Sequence, residues 1–196
     1  MKPSKESFKQ TFINYRQVYK NILKSFYPSL GSTGFQERNL TVNFSKAYET
    51  TNKSEDVCSW FELQFGEKKN NHFDCVIINS TRKEILIIES KRFTSSAKKD
   101  NINKDIERIE SFVNGGLDER FDKYKGYNVL GVILADVWKE NRPKKEIYNA
   151  YKNEEYFKDI HLSKPWYMYD VQDIKEVKDH DCKAEYSLLS FIWEIK

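Results

Sequence analysis

Apolar residues near the N terminus recur at steps of three and four, the spacing of one face of a helix. In segment 4–27 this stripe is formed by aromatic and aliphatic side chains, namely Phe8, Phe12, Tyr15, Tyr19, Ile22 and Phe26. Lysines occupy the opposite side, so the pattern predicts an amphipathic helix. Pro28, Gly31 and Gly34 interrupt the pattern, and helical spacing resumes over residues 35–51.

The middle of the chain has the alternation and the short apolar runs of β-strands. Residues 58–66 alternate in part and are rich in aromatics, which favours a strand. Two apolar runs, 72–79 and 84–93, are joined by the turn 80–83 and predict a hairpin. Residues 127–138 are apolar on both parities, as expected for a strand covered on both faces.

Helical spacing returns after the hairpin. The segment "NKDIERIESFVNG" (103–115) predicts an amphipathic helix that ends at a pair of glycines. Residues 144–157 predict a further helix and 165–172 a further strand. The last apolar segment, 186–195, fits either a strand or a helix.

The resulting order, α-β-β-β-α-β with additions at both ends, predicts an α/β fold with a central mixed sheet and helices on both faces. A chain of 196 residues is most simply one domain, 1–196. We expect its core at about residues 35–137, with a helical N-terminal extension, 1–30, and C-terminal additions, 138–196.

The hairpin carries charged side chains at positions where a buried strand normally has apolar ones. Asp74 lies near the start of the first strand, and Glu89 and Lys91 lie at the end of the second. Side chains two residues apart on a strand share a face, and a turn centred near residue 81 or 82 sets Asp74 about opposite Glu89. Buried ions need a partner or a metal, and two carboxylates beside an amine suit Mg²⁺ or Mn²⁺.

The spacing of Glu89 and Lys91 is not specific by itself, since an acid two residues before a lysine occurs six times in the chain. The other five pairs fall in a turn, in a polar stretch or at the chain end. Glu89 and Lys91 alone close an apolar strand that follows a strand bearing an acid. The context, more than the spacing, therefore distinguishes this pair.

The hairpin carries Phe73-Asp74, then fourteen residues, then Glu89-Ser90-Lys91, followed by a helix and a buried strand. This arrangement resembles the PD-(D/E)xK nuclease superfamily over about residues 35–137, with Phe73 where the family name has proline. The resemblance implies a restriction-endonuclease-like core. It also implies divalent-metal-dependent hydrolysis of phosphodiester bonds, with DNA as the substrate in restriction, defence or repair.

The resemblance also implies roles for individual residues. Asp74 and Glu89 would bind the divalent metal, with the Ser90 carbonyl as an extra ligand. Lys91 would orient or activate the attacking water, and Glu37, from the helix that precedes the sheet, would add an acid directly or through water. The helix after the hairpin reads "NKDIERI" where some members carry Gln or Tyr, so no family role passes to that segment.

Composition adds a basic surface to this picture. Net charge is only +3 at pH 7, but residues 1–34 hold six basic side chains against one acid, and residues 91–104 hold five against one. In the second cluster we expect nucleic-acid contacts from Arg92, Lys98, Lys99 and Lys104. The alternative for each cluster is an ordinary solvent-exposed surface with no role in binding.

Cysteine usage and hydropathy bear on the compartment. The three cysteines are widely spaced, which is typical of a reducing cytosol and gives no zinc-site spacing with the histidines. No apolar run approaches the roughly 20 residues of a membrane span. We expect a cytoplasmic protein without membrane contact, and the interpretation leaves room for a homodimer.

Three alternatives stay open. Asp74, Glu89 and Lys91 could form a structural ion pair at a sheet end, Glu37 an ordinary helix-start residue and His72 an ordinary strand-start residue. The chain could then be a catalytically silent nuclease-fold protein that binds nucleic acid or a partner. It could also be an unrelated α/β protein, although no glycine-rich phosphate loop or serine-hydrolase motif supports another enzyme class.

Overall fold

The computed structural model describes residues 5–25, 36–66, 71–92, 98–117, 119–138, 149, 167–179 and 182–195. The helices of this part of the chain are α1 (Lys5–Ser25), α2 (Glu37–Thr51) and α3 (Lys98–Asn114), and a 3-10 helix (Glu119–Tyr124) follows α3. Its strands are β1 (Val57–Gln64), β2 (His72–Asn79), β3 (Glu84–Arg92), β4 (Asn128–Trp138), β5 (Tyr167–Asp179) and β6 (Cys182–Glu194).

The strands form one mixed sheet in the order β1-β2-β3-β4-β6-β5. β3 and β4 are parallel, and all other neighbouring strands are antiparallel. Parallel neighbours need a crossover connection, and here α3 lies within it. The predicted α/β class, with a mixed sheet flanked by helices, is confirmed.

Helices cover both faces of the sheet. Even-numbered apolar residues of β3, such as Leu86 and Ile88, pack in one core cluster with α1 and α2. Odd-numbered ones, such as Ile85 and Ile87, pack in the other cluster with α3. Because the side-chain period of a strand is two, this alternation continues to the charged end of β3.

The β2–β3 hairpin forms where the pattern of apolar runs predicted it. β2 and β3 pair in the register Cys75↔Ile88 to Asn79↔Glu84 around the turn 80–83. The turn end of β3 also buries an acid, Glu84, and its Oε2 accepts a hydrogen bond from the Tyr48 hydroxyl at 3.3 Å. Each end of β3 therefore carries one buried glutamate.

A glycine in β4 leaves room for a large aromatic ring to pack against the centre of the sheet. Gly131 is the cross-strand partner of Trp193 on β6, and a Cβ at Gly131 would lie 2.2 Å from Cζ2 of that indole. The indole is fully buried, and its Nε1 donates to Oε1 of Glu110 on α3 at 3.2 Å. The Trp193 ring thus fills the space that a side chain at Gly131 would occupy.

The ends of several elements differ from the sequence prediction. α3 begins at Lys98, five residues early, because its polar first turn precedes the apolar stripe that marks the helix. The ambiguous segment 186–195 is a strand, since β6 pairs along β4 and β5. The predicted helix 144–157 lies outside the described residues except for residue 149. In the described part of the chain, no helix combines the length and apolar character that a membrane span requires.

Candidate active site

Asp74 and Glu89 meet at the end of the central hairpin. The pairing of β2 with β3 ends at Cys75↔Ile88, so Asp74 and Glu89, the next residue of each strand, lie at the same end of the hairpin. The Ser90 backbone N–H donates to Asp74 Oδ2 at 2.7 Å, which fixes this carboxylate against β3. Glu89 is only 2% exposed. The role predicted for the Ser90 carbonyl as a ligand stays a prediction.

Glu89 and Lys91 project towards α3 and meet a matching pair of charges there. Arg108 Nη2 donates to Glu89 Oε1 and, at 2.9 Å, to Asp105 Oδ1. The other oxygen of Asp105 lies 2.9 Å from Lys91 Nζ. Asp105 and Arg108 are three residues apart and therefore adjacent on the helix surface. The four side chains form an alternating chain of charge from β3 to α3 and back.

Burial and crowding disfavour ionisation of the two hairpin acids. Burial, together with the Asp74 carboxylate, raises the pKa of Glu89 to about 8, although Arg108 acts in the opposite direction. The pKa of Asp74 is raised by burial too, against the hydrogen bond from the Ser90 N–H. An additional positive charge next to two buried, neighbouring carboxylates stabilises their ionised form.

The acids around Lys91 outweigh the effect of its burial. Burial lowers the pKa of the ammonium. The carboxylates of Asp105, Glu89 and Glu37 act in the opposite direction, so the pKa of Lys91 lies above its ordinary value in the metal-free protein. Lys91 therefore has a fixed partner in Asp105 on α3.

Glu37 reaches the same end of the sheet from the other face. It is the first residue of α2, and its Oε1 accepts a hydrogen bond from the Arg92 backbone N–H at 2.9 Å. One turn later in α2, the Thr41 hydroxyl lies 2.6 Å from the Ser90 hydroxyl. These two contacts hold the start of α2 against the end of β3, where the sequence interpretation placed this acid.

The structure adds a histidine and a glutamate that the sequence analysis left aside. Among the described residues, the one group of three potential metal ligands with atoms within 4.8 Å of one another is Glu62, His72 and Asp74. Glu62 lies opposite Asp74 and has a left-handed φ of 53°, a costly backbone conformation for this residue. The alternation of β2 also changes here, since Phe73 packs towards α3 whereas Cys75 packs towards α1 and α2.

The four residues predicted to contact nucleic acid lie on two elements, Arg92 at the end of β3 and Lys98, Lys99 and Lys104 on α3. Lys104 is exposed on α3, and the side chains of Lys98 and Lys99 lie outside the described residues. Arg92 is half-buried on the α2 side of β3, where its positive charge acts on Asp136 of β4. A phosphate contact by Arg92 stays a prediction.

Asp136 is a second buried acid close to the site, on the α1 and α2 face of the sheet. It is 2% exposed, and its Oδ2 accepts a hydrogen bond from the Tyr186 hydroxyl at 3.0 Å. Its Oδ1 is buried and has no hydrogen-bond partner among the described residues. Burial raises the pKa of Asp136 to about 7, although Arg92 and Tyr186 act in the opposite direction and Glu37 adds to the increase.

This acid makes folding stability depend on pH. The folded protein retains the Asp136 proton up to about pH 7, whereas the unfolded chain loses it near pH 4. The contribution of this group to stability should therefore fall between about pH 4 and pH 7 and then level off. We expect Asp136→Asn, which mimics the neutral acid, to add on the order of 4 kcal/mol above pH 7 and little near pH 4.

Urea unfolding at pH 4.5 and pH 8.5 measures this difference. The matched control is Asp122→Asn, because Asp122 is exposed and pairs only with Lys125, at 3.1 Å, among the contacts of the described residues. An Asp136→Asn effect that is equal at both pH values would contradict the assignment of the raised pKa to this group.

In comparisons with protein-family models, curated proteins and solved structures, no match to this chain was found. The chemistry of the site therefore rests on its own geometry. Among the described residues, Asp74 shares a group of potential ligands with Glu62 and His72, whereas Glu89 and Lys91 pair with Arg108 and Asp105 of α3. A common catalytic site of Asp74, Glu89, Lys91 and Glu37 stays a prediction.

Proposed function

We propose that this protein is a divalent-metal-dependent nuclease that hydrolyses phosphodiester bonds, with DNA as its substrate. We further propose that residues 35–137 form a restriction-endonuclease-like core. The observation that carries the proposal is the convergence of Asp74, Glu89 and Lys91 at one end of the central hairpin, with Glu37 reaching the same end from α2. The resemblance in the sequence predicts this convergence, and an unrelated set of surface charges does not.

The residues present fit a hard divalent cation. Asp74 and Glu89 supply carboxylate oxygens, the ligands that Mg²⁺ and Mn²⁺ prefer, and both carboxylates have a raised pKa chiefly because they are buried. Glu62 and His72 extend the donor set from Asp74. A cation bound to these groups would supply Lewis-acid polarisation of the phosphate and activation of water.

Lys91 supports the reaction as a fixed positive charge. A phosphodiester and hydroxide are both anionic, so a preorganised cation next to the attacking water lowers the barrier between them. Asp105 holds the Lys91 ammonium at 2.9 Å. We therefore assign Lys91 to orienting the water and offsetting negative charge.

One observation favours a second candidate, a catalytically silent protein that binds nucleic acid or a protein partner. Glu89 and Lys91 already pair with Arg108 and Asp105, so the four charges satisfy one another without any metal. A structural ion network would show the same contacts. Metal dependence separates the two candidates.

The experiment incubates the purified protein with plasmid DNA, single-stranded DNA and RNA in Mg²⁺, Mn²⁺ or EDTA. We expect cleavage of DNA with either metal and none in EDTA, because the carboxylates alone provide no electrophile. Asp74→Asn, purified in parallel, controls for contaminating nucleases. Cleavage that persists in EDTA or in Asp74→Asn would contradict the proposal.

Binding without cleavage would favour the silent candidate. In that case, affinity should fall steeply with salt, because release of counterions dominates such binding. A protein that neither binds nor cleaves any of the three nucleic acids would instead favour an unrelated α/β protein.

A further inference from the structure

Arg108 already contacts a carboxylate, that of Glu89, which the proposed metal would bind. Its Nη2 bonds both Glu89 and Asp105, and Glu89 is 2% exposed whereas the Arg108 side chain is 35% exposed. The guanidinium carbon also lies 5.9 Å from the ring centroid of Phe73, the neighbour of Asp74. Arg108 thus spans from the buried acid to the open side of the site.

A cation and a guanidinium compete for the same carboxylate. Charge-assisted hydrogen bonds to a buried acid are strong, so a metal that binds Glu89 must first weaken its contact with Arg108. Asp105 offers Arg108 a second anchor at 2.9 Å that does not depend on Glu89. Displacement from Glu89 therefore leaves the arginine within the site.

A divalent cation adds two positive charges to this group of acids and bases. A phosphodiester carries one negative charge, and the planar guanidinium fork suits its oxygens well.

We propose that Arg108 is the counter-ion of Glu89 in the metal-free protein and a catalytic residue that binds a phosphate oxygen of the substrate once a divalent cation is bound. This inference rests on the proposed nuclease function. It gives one side chain two partners in succession, a carboxylate before metal binding and a phosphate after it.

The proposal predicts opposite effects on metal binding and on turnover. Calorimetric titration with Mn²⁺ should show that Arg108→Met binds the metal about tenfold more tightly than wild type, because the competing charge is gone. At saturating Mn²⁺, the same variant should cleave plasmid DNA at least about tenfold more slowly.

Arg120→Met is the matched control, since Arg120 is exposed and donates to the Gln64 carbonyl at 2.6 Å, outside the acidic group. It should leave both Mn²⁺ affinity and cleavage unchanged. If Arg108→Met melts below the assay temperature, Arg108→Gln replaces it, because the amide retains hydrogen bonding while removing the charge. We expect Arg108→Gln, like Arg108→Met, to bind Mn²⁺ more tightly and to cleave DNA more slowly than wild type.

The outcomes distinguish this inference from the function on which it rests. Wild type that binds Mn²⁺ and cleaves DNA, beside a neutral Arg108 variant with equal or weaker Mn²⁺ affinity, would overturn the inference alone. A neutral variant that binds Mn²⁺ more tightly but cleaves at the wild-type rate would overturn the phosphate role. Wild type that neither binds Mn²⁺ nor cleaves would overturn the inference together with the nuclease function.

Discussion

Glu89→Gln is expected to lower the rate of DNA cleavage by about a thousandfold or more while the protein remains folded. The amide keeps the shape of the side chain but cannot supply the negative charge that a divalent cation requires. Loss of one ligand at a catalytic metal removes several kcal/mol of transition-state stabilisation, and each 1.36 kcal/mol corresponds to about a tenfold change in rate. Rates of plasmid nicking in Mn²⁺, with circular dichroism as the test of folding, measure the effect.

Glu84→Gln is the matched control for this substitution. Glu84 is the same residue type on the same strand, is 1% exposed against 2% for Glu89, and lies at the other end of β3 beside Tyr48. It should cleave DNA at the wild-type rate. If both substitutions abolished cleavage equally, the effect at Glu89 would reflect damage to β3 and would contradict its role as a ligand.

Gly131→Ala is expected to destabilise the fold by about 3 kcal/mol or more. Cβ would lie 2.2 to 2.5 Å from three atoms of the Trp193 ring, and neither β4 nor the fully buried indole has room to move without disturbing the core. Overpacking of a well-filled core costs about 1–3 kcal/mol and occasionally more. This is a large share of a total stability of about 5–15 kcal/mol. Urea unfolding of both proteins gives the difference.

A double-mutant cycle tests the cause of this loss. Trp193→Phe replaces the indole with a smaller ring, so Gly131→Ala should destabilise that background much less than it destabilises wild type. The two substitutions should therefore be strongly non-additive. Equal losses in the two backgrounds would show that the clash with Trp193 is not the reason for glycine at this position.

The hairpin and its three charged residues were open to prediction because all the information is local. Period-two alternation, a four-residue turn and the apolar runs on either side fix which residues of β2 and β3 face each other. The pairing from Asn79↔Glu84 to Cys75↔Ile88 brings Asp74 and Glu89 to the same end of the hairpin, as expected from the sequence. Glu37 followed from the position of its helix before the sheet.

Asp105 and Arg108 were not predicted, because their roles depend on how α3 docks. Asp105 is three residues after Ile102 and directly precedes Ile106, so it lies beside the apolar stripe and is 5% exposed. An acid next to the apolar stripe of a predicted helix could have indicated a buried ion pair. Its partner, Lys91, could be identified only from the packing of α3 on β3.

Glu62 was missed for a different reason. Its proximity to Asp74 arises from the β1–β2 pairing and from the left-handed φ at Glu62, which has no glycine to announce it. Strand periodicity assumes a regular pleat, so it cannot anticipate a residue that leaves the pleat.

The hydrogen bond between Glu37 and the Arg92 N–H also bears on the order in which the molecule assembles. It joins residues separated by 55 positions, whereas the residues of the β2–β3 hairpin are close in the chain. Closing a long loop costs more conformational entropy than closing a short turn, so the hairpin is favoured to form first. A partly folded chain would then already hold Asp74, Glu89 and Lys91 together but would lack the acid from α2.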